Sequence, residues 1–225
     1  MPADASPTKE KLIAAAERLF ATDGVEAAQL RDIVRAAGQA NDSAVHYHFG
    51  SRDGLLVAIC ERHIAAMEPE RRALLDDLED RGATRDVDAI VHALVVPTVR
   101  KLDTQSGRYF LRIAAQLAGR VGLSVDGVPA PVLDTALMRE LTLLRDAGMT
   151  TVPQAVVLER IEAMIYLFTA TLAERARKID ARDALPLDQD TFTANLIAMW
   201  TGALTAPLTV PLSRGRRRTT RSTAS

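Results

Sequence analysis

Three glycines, Gly24, Gly38 and Gly50, cut the first fifty residues into short helical segments. Helices this short are marginal alone, so each must bury an apolar stripe against its neighbours. In the first segment Leu12, Ala15, Ala16, Leu19 and Phe20 follow the i, i+3, i+4 spacing of one helix face. Ser6 stands ready to cap it and Pro7 suits its first position, which predicts a helix over 7–22. Leu30, Ile33, Val34 and Ala37 stripe a second helix that Gly38 ends. The third covers about 42–49, capped by Asn41 or Asp42. It sets Ala44, Val45 and Phe49 inside, with Asn41, Ser43, His46 and Tyr47 outside.

The helical period continues to about residue 206, and no alternating run bounded by turn residues argues for a strand. Ser51 is the expected cap of a fourth helix, striped by Leu56, Ile59, Cys60, His63 and Met67. Pro69 ends or kinks it, with 70–80 as a candidate extension. Further helices are predicted over 86–102, with a kink at Pro97, and over 107–120, 132–147, 153–179 and 188–206. A Gly- and Pro-rich loop occupies 121–131. Between Glu162 and Glu174 no residue is charged, and the last helix is apolar on more than one face. A helix apolar all round is buried all round. A second copy of the chain is the cheapest cover for the outer side, with Leu167, Trp200 and Leu204 expected at that interface. The fold class that follows is all-α. Residues 1–52 form a head with a helix-turn-helix, 53–206 a helical ligand-binding and dimerisation region, and 207–225 a disordered Arg-rich tail.

Charge and cysteine content narrow the function. Five arginines and no acid fall within 214–221, and the other 23 basic residues stand against 29 acids. The single cysteine excludes an intrachain disulfide and fits a reducing compartment. The opening MPADASPTKEKL has no signal-peptide pattern, so the chain is expected in the cytoplasm. The uncharged stretch Thr191–Ser213 is long enough for a bilayer. Its threonines, Asn195, Pro207 and Pro211 favour a buried helix, and no membrane is expected. Cys60 and His63 share a helix face without a second such pair nearby, which reads as core rather than metal site. His46 and His48, two apart, do not share a face. No phosphate loop, nucleophile elbow or zinc motif occurs, so neither an enzyme, a cofactor nor a metal is implied.

The second and third helices carry the functional signal. An eight-residue apolar helix, a turn opening on Gly38 and a second short helix make a helix-turn-helix. Compact donors and acceptors on the outer side of the third helix are the kind that read base edges in a major groove. Arg31 and Arg52, each near a helix start, are placed to hold phosphate. Residues 8–60, through EKLIAAAERLFATDGVEAAQLRDIVRAAG and AVHYHFGSRDGLL, resemble the DNA-binding domain of the TetR family of bacterial transcriptional repressors. The second stretch is similar to the family's Leu-Tyr-x-His-Phe signature followed by a small residue, Ser and Lys or Arg.

That resemblance implies a homodimeric, ligand-responsive repressor of a palindromic DNA operator. Its contacts would come from Arg31, Gln39, Asn41, Ser43, His46, Tyr47, His48 and Arg52. Three departures stand out. The turn Gly38–Val45 is one residue longer than usual, leaving open which of Gln39, Asn41 and Ser43 faces a base. His46 occupies the usual tyrosine position with Tyr47 beside it, so either can take the phosphate-contacting role. Ala28 and Gln29 replace the usual Thr or Ser cap. Residues 1–52 hold six bases and seven acids, so the head has no large basic patch, and the arginine tail is the candidate source of non-specific affinity. On the middle helices His92, Tyr109, Phe110, Arg112, Met138, Tyr166 and Phe168 are candidates to line a pocket for a mainly apolar small molecule. Arg112 and Gln116, one turn apart, either orient a ligand or face solvent. The longer turn and missing patch also fit an alternative, a helical small-molecule binding protein or enzyme with a vestigial helix-turn-helix.

Overall fold

The structure, a computed structural model, describes residues 7–121, 135–148 and 152–208; among these every regular element is helical. Helices α1 (Pro7–Thr22), α2 (Leu30–Ala36) and α3 (Ser43–Phe49) make the head. Gln29 sits at the N-cap of α2 without a side-chain cap bond, in keeping with its poor capping chemistry. Ser6, the expected cap of α1, and the arginine tail lie outside the described residues. Helix α4 (Arg52–Asp80) starts as its sequence predicts, with Ser51 Oγ accepting from the Gly54 N–H at 2.9 Å. It then runs unbroken through Pro69. Leu55, Ile59, Met67, Leu75 and Leu78 bury one side of it along its length, and that packing outweighs the single hydrogen bond a proline removes.

The body comprises the remainder of α4, α5 (Val87–Val99), a 3₁₀ turn at Arg100–Asp103, α6 (Gln105–Val121), α7 (Ala136–Gly148), α8 (Gln154–Ala181) and α9 (Gln189–Thr205). Pro97 is likewise inside α5. Asp86 caps α5 through the Asp88 and Ala89 N–H groups, and Asp188 caps α9 through that of Thr191. The expected start of the seventh helix at Val132 and the 121–131 loop fall almost wholly among residues not described.

Head and body share a core. The cluster of Leu12, Ala16, Phe20, Ile33 and Val45 is completed by Leu55 and Ile59 of α4 and by Ile113 of α6, with Tyr109 and Leu117 packed against it. Three short helices leave part of α1 uncovered, and α6 covers it. Polar groups seal the same seam. Glu17 of α1 is buried and accepts from His63 of α4 at 3.1 Å and from Ser106 of α6 at 2.6 Å, while the His63 ring stacks on Phe110.

The body core corrects one expectation. Trp200 is 0% exposed and Leu204 2%, both inside the chain's own body, with the Phe168 ring edge-on to Trp200 at 5.4 Å. Neither side chain is available to a second copy. The sequence pattern of α9 has apolar residues on more than one face, and periodicity alone does not say which face turns inward. Leu167 remains outside at 36% exposure, and Met199 at 44% replaces Trp200 on the outer face of α9.

Arg71 of α4 forms a buried ion pair with Glu140 of α7 and donates to Thr98 of α5 at 2.7 Å. Burial pushes the Glu140 carboxyl up to about 8, against the pull of Arg71. The folded state therefore holds this proton more tightly than the unfolded chain does. The contribution is full below the ordinary value of 4.5 and is lost as pH rises through about 8. Arg71→Met is expected to destabilise the protein by about 3–5 kcal/mol at alkaline pH, where Glu140 would be ionised and unpaired. The loss should shrink below pH 5, as urea titrations across pH would record.

Candidate nucleic-acid interface

The turn between α2 and α3 is built by backbone bonds. Ala37 ends α2, and the Gly38 and Gln39 N–H groups return to the carbonyls of Arg35 and Val34, both at 3.0 Å. Gly38 has φ +69°, a conformation open to glycine at little cost. The Gln39 side chain folds back, 3.4 Å from the Ala37 carbonyl, and is half-buried. Asn41 Oδ1 accepts from the Ser43 N–H at 3.1 Å and so starts α3, while Asp42 holds the N-cap position without a side-chain cap bond.

Val45 anchors α3 at 0% exposure, which turns Ser43, His46 and Tyr47 outward. Tyr47 is 86% exposed, the extreme among the described large hydrophobic side chains. His46 is held between the Asp42 carboxylate at 3.6 Å and the Gly50 carbonyl, to which Nδ1 donates at 3.2 Å. His48 is half-buried, with its ring edge-on to Tyr47 at 4.9 Å. Arg31 is exposed at the start of α2. Asn41, Ser43, Tyr47 and Arg31 are thus presented to solvent, while Gln39 and His48 lie partly behind them.

Arg52 is placed differently. Its Nε donates to the Ala28 carbonyl at 3.1 Å, its Nη2 to that of Val25, and the guanidinium lies 4.8 Å from the Phe20 ring centre. Its donors tie the start of α4 to the α1–α2 turn, so a phosphate would have to compete for them. Behind the interface, Gly54 makes α3 and α4 meet. A Cβ there would lie 1.9 Å from the Phe49 carbonyl oxygen.

Residues 12–59 match the family model of the bacterial regulatory proteins, tetR family. The match makes the first sixty residues a TetR-type DNA-binding head. A head of this type supports a DNA-binding transcriptional regulator, with α3 as the second helix of its helix-turn-helix. Among solved structures, GusR of Salmonella enterica is 17% identical, with 90% of this chain and 98% of that one aligned at a TM-score of 0.42. A gamma-butyrolactone receptor, an ArpA-like protein, is 22% identical over 87% of this chain and 96% of its own, also at 0.42. No curated protein matches the sequence. No described helix is long and apolar enough to cross a membrane.

The candidate pocket residues of the body do not gather in one described cavity. Phe110 and Phe168 are core, and Tyr109 packs against the head. His92 is exposed and Met138 half-buried; the Tyr166 hydroxyl donates to Glu162 at 2.9 Å. Arg112 lies 3.5 Å from Asp180. Gln116 is half-buried and does not stand alone. Its Oε1 accepts from the Val25 N–H at 2.7 Å and its Nε2 donates to the Phe20 carbonyl at 3.1 Å, binding α6 to the head. The one sequence signal for this was a glutamine on a helix that otherwise read as buried. Cys60 is half-buried, and burial pushes its thiol up to about 11, away from thiolate chemistry near neutral pH.

Tyr47→Ala is expected to weaken operator binding by about tenfold to a hundredfold, the size of one lost specific contact. The melting temperature should not move, because the ring packs on little in the free protein. Mobility shifts and thermal melts on the same preparation check both parts.

Proposed function

We propose that this regulator is a homodimeric repressor that reads a palindromic operator and releases it when a small molecule binds the body. The observation that carries this reading is the outward face of α3, where Tyr47 stands at 86% exposure beside Ser43 on a helix anchored by Val45. A large aromatic held so far into solvent on an otherwise well-packed head needs a partner surface. Two heads read half-sites about one helical turn apart, or a multiple of it. Arg31 and the side chains of Asn41, Ser43 and His46 supply the polar contacts, with Gln39 and His48 behind them.

The dimer is supported by the outer faces of α8 and α9. Leu158, Ala163, Leu167 and Ala170 on one, and Ala194, Ala198, Met199 and Gly202 on the other, are all exposed in the single chain. Small and apolar residues on two adjacent helices suit a four-helix interface across a two-fold axis. The effector is a mainly apolar molecule. The body core is aliphatic and aromatic, with one linked polar cluster of Arg71, Thr98 and Glu140.

Footprinting on DNA upstream of its own gene tests the reading. A protected palindrome, relieved by a compound that also raises the melting temperature, is the expected result. Absence of any protected sequence at low salt would favour the binding-protein alternative.

A further inference from the structure

A cleft of about 370 Å³ opens between the C-terminal half of α8 and the start of α9. Ala170, Thr171, Glu174, Arg175 and Lys178 form one wall, and Leu185, Pro186, Leu187 and Phe192 the other. None of the pocket residues anticipated from sequence lines it. Its size is at the lower end for small-molecule sites.

Arg175 gives the cleft its chemistry. It is 6% exposed, and its guanidinium stacks 4.1 Å above the Phe192 ring. One donor, Nη2, reaches the Leu187 carbonyl at 3.0 Å. Its Nε is buried with no acceptor, and among the described residues no carboxylate pairs with the charge. The acids nearby are engaged elsewhere. Glu174 accepts two bonds from Arg177 and faces Lys178 at 3.9 Å. Asp188 caps α9. A buried guanidinium with an unmet N–H is costly, and Phe192 offsets only part of that cost. Burial accordingly holds Arg175 below the ordinary guanidinium range, against a weaker opposing pull from Asp188.

We infer that this cleft binds a small organic monocarboxylate with an apolar body, the carboxylate pairing with Arg175 and the body lying against Phe192, Leu185 and Pro186. A carboxylate supplies what is missing, two acceptor oxygens matched to the guanidinium fork. Lys178, half-exposed, adds a second cation, and Glu174 on the same wall disfavours a second negative charge on the ligand.

The test uses the full chain with hexanoate, octanoate and phenylacetate, each against its neutral primary amide. A carboxylate should raise Tm by about 5 °C or more near saturation, and its amide should not. Arg175→Gln should weaken the carboxylate at least tenfold by calorimetry. Should that variant fail to fold, Lys178→Glu, at a half-exposed position, should weaken it comparably and keep the fold. Equal shifts with acid and amide overturn the proposal, as does undiminished carboxylate binding in the variants. So does a carboxylate-insensitive protein whose Arg175→Gln variant sediments as a monomer, because the anion would then come from a second copy.

Discussion

Gly54→Ala is expected to unfold the head and abolish operator binding while adding one methyl group. The new Cβ would lie 1.9 Å from the Phe49 carbonyl oxygen and 3.1 Å from its carbon, both backbone atoms. No rotamer change relieves such a contact. The chain must move α3 away from α4, and α3 carries Tyr47 and Ser43. A cost of about 3 kcal/mol or more, the upper end for overpacking, falls on a head whose core is small. Thermal melts should show an early transition for the head, and mobility shifts no complex. A variant that binds operator as wild type would mean that the α3–α4 junction is looser than its geometry.

Substitutions on α9 separate core from interface. Trp200→Glu should collapse the body rather than yield a folded monomer. Truncating a fully buried aromatic costs about 3–5 kcal/mol, and the carboxylate adds an unpaired buried charge. Together these approach the whole stability of a typical domain. Met199→Glu, one residue away and 44% exposed, should instead keep its helicity and sediment as a monomer. Leu167→Glu on α8 should behave like Met199→Glu. Circular dichroism and sedimentation on the three variants decide the matter. A soluble, helical Trp200→Glu monomer would place that ring at the interface after all.

The contrast between Trp200 and Met199 marks the limit of what the sequence makes legible. Helix ends are local events, so Gly24, Gly38 and Gly50, the Ser51 cap and the residues flanking α1 could be read directly. The outer face of α3 was legible because Val45 and Phe49 identify its inner one. Facing fails on α9, where no charged residue after Asp190 marks the outside. Pairings across long separations fail for another reason. Arg71 and Glu140 are 69 positions apart, and Gln116 and Val25 are 91 apart. Nothing in either neighbourhood names the partner. Arg52 was legible as a cation at a helix start, but its inward bonds to Val25 and Ala28 depend on where the α1–α2 turn comes to rest.

The grip of α6 on that turn bears on how such a protein can be recombined. Val25 gives its N–H to Gln116 of α6 and its carbonyl to Arg52 of α4, and Ile113 of α6 sits at 0% exposure within the head's own core. Residues 1–60 transplanted onto a foreign body would inherit an unanswered amide and a hollow where Ile113 stood. A chimera that changes operator choice should therefore exchange Ile113 and Gln116 together with the head, or replace only the outward residues of α3. The reading surface is portable, while the scaffold beneath it is shared property of both halves of the chain.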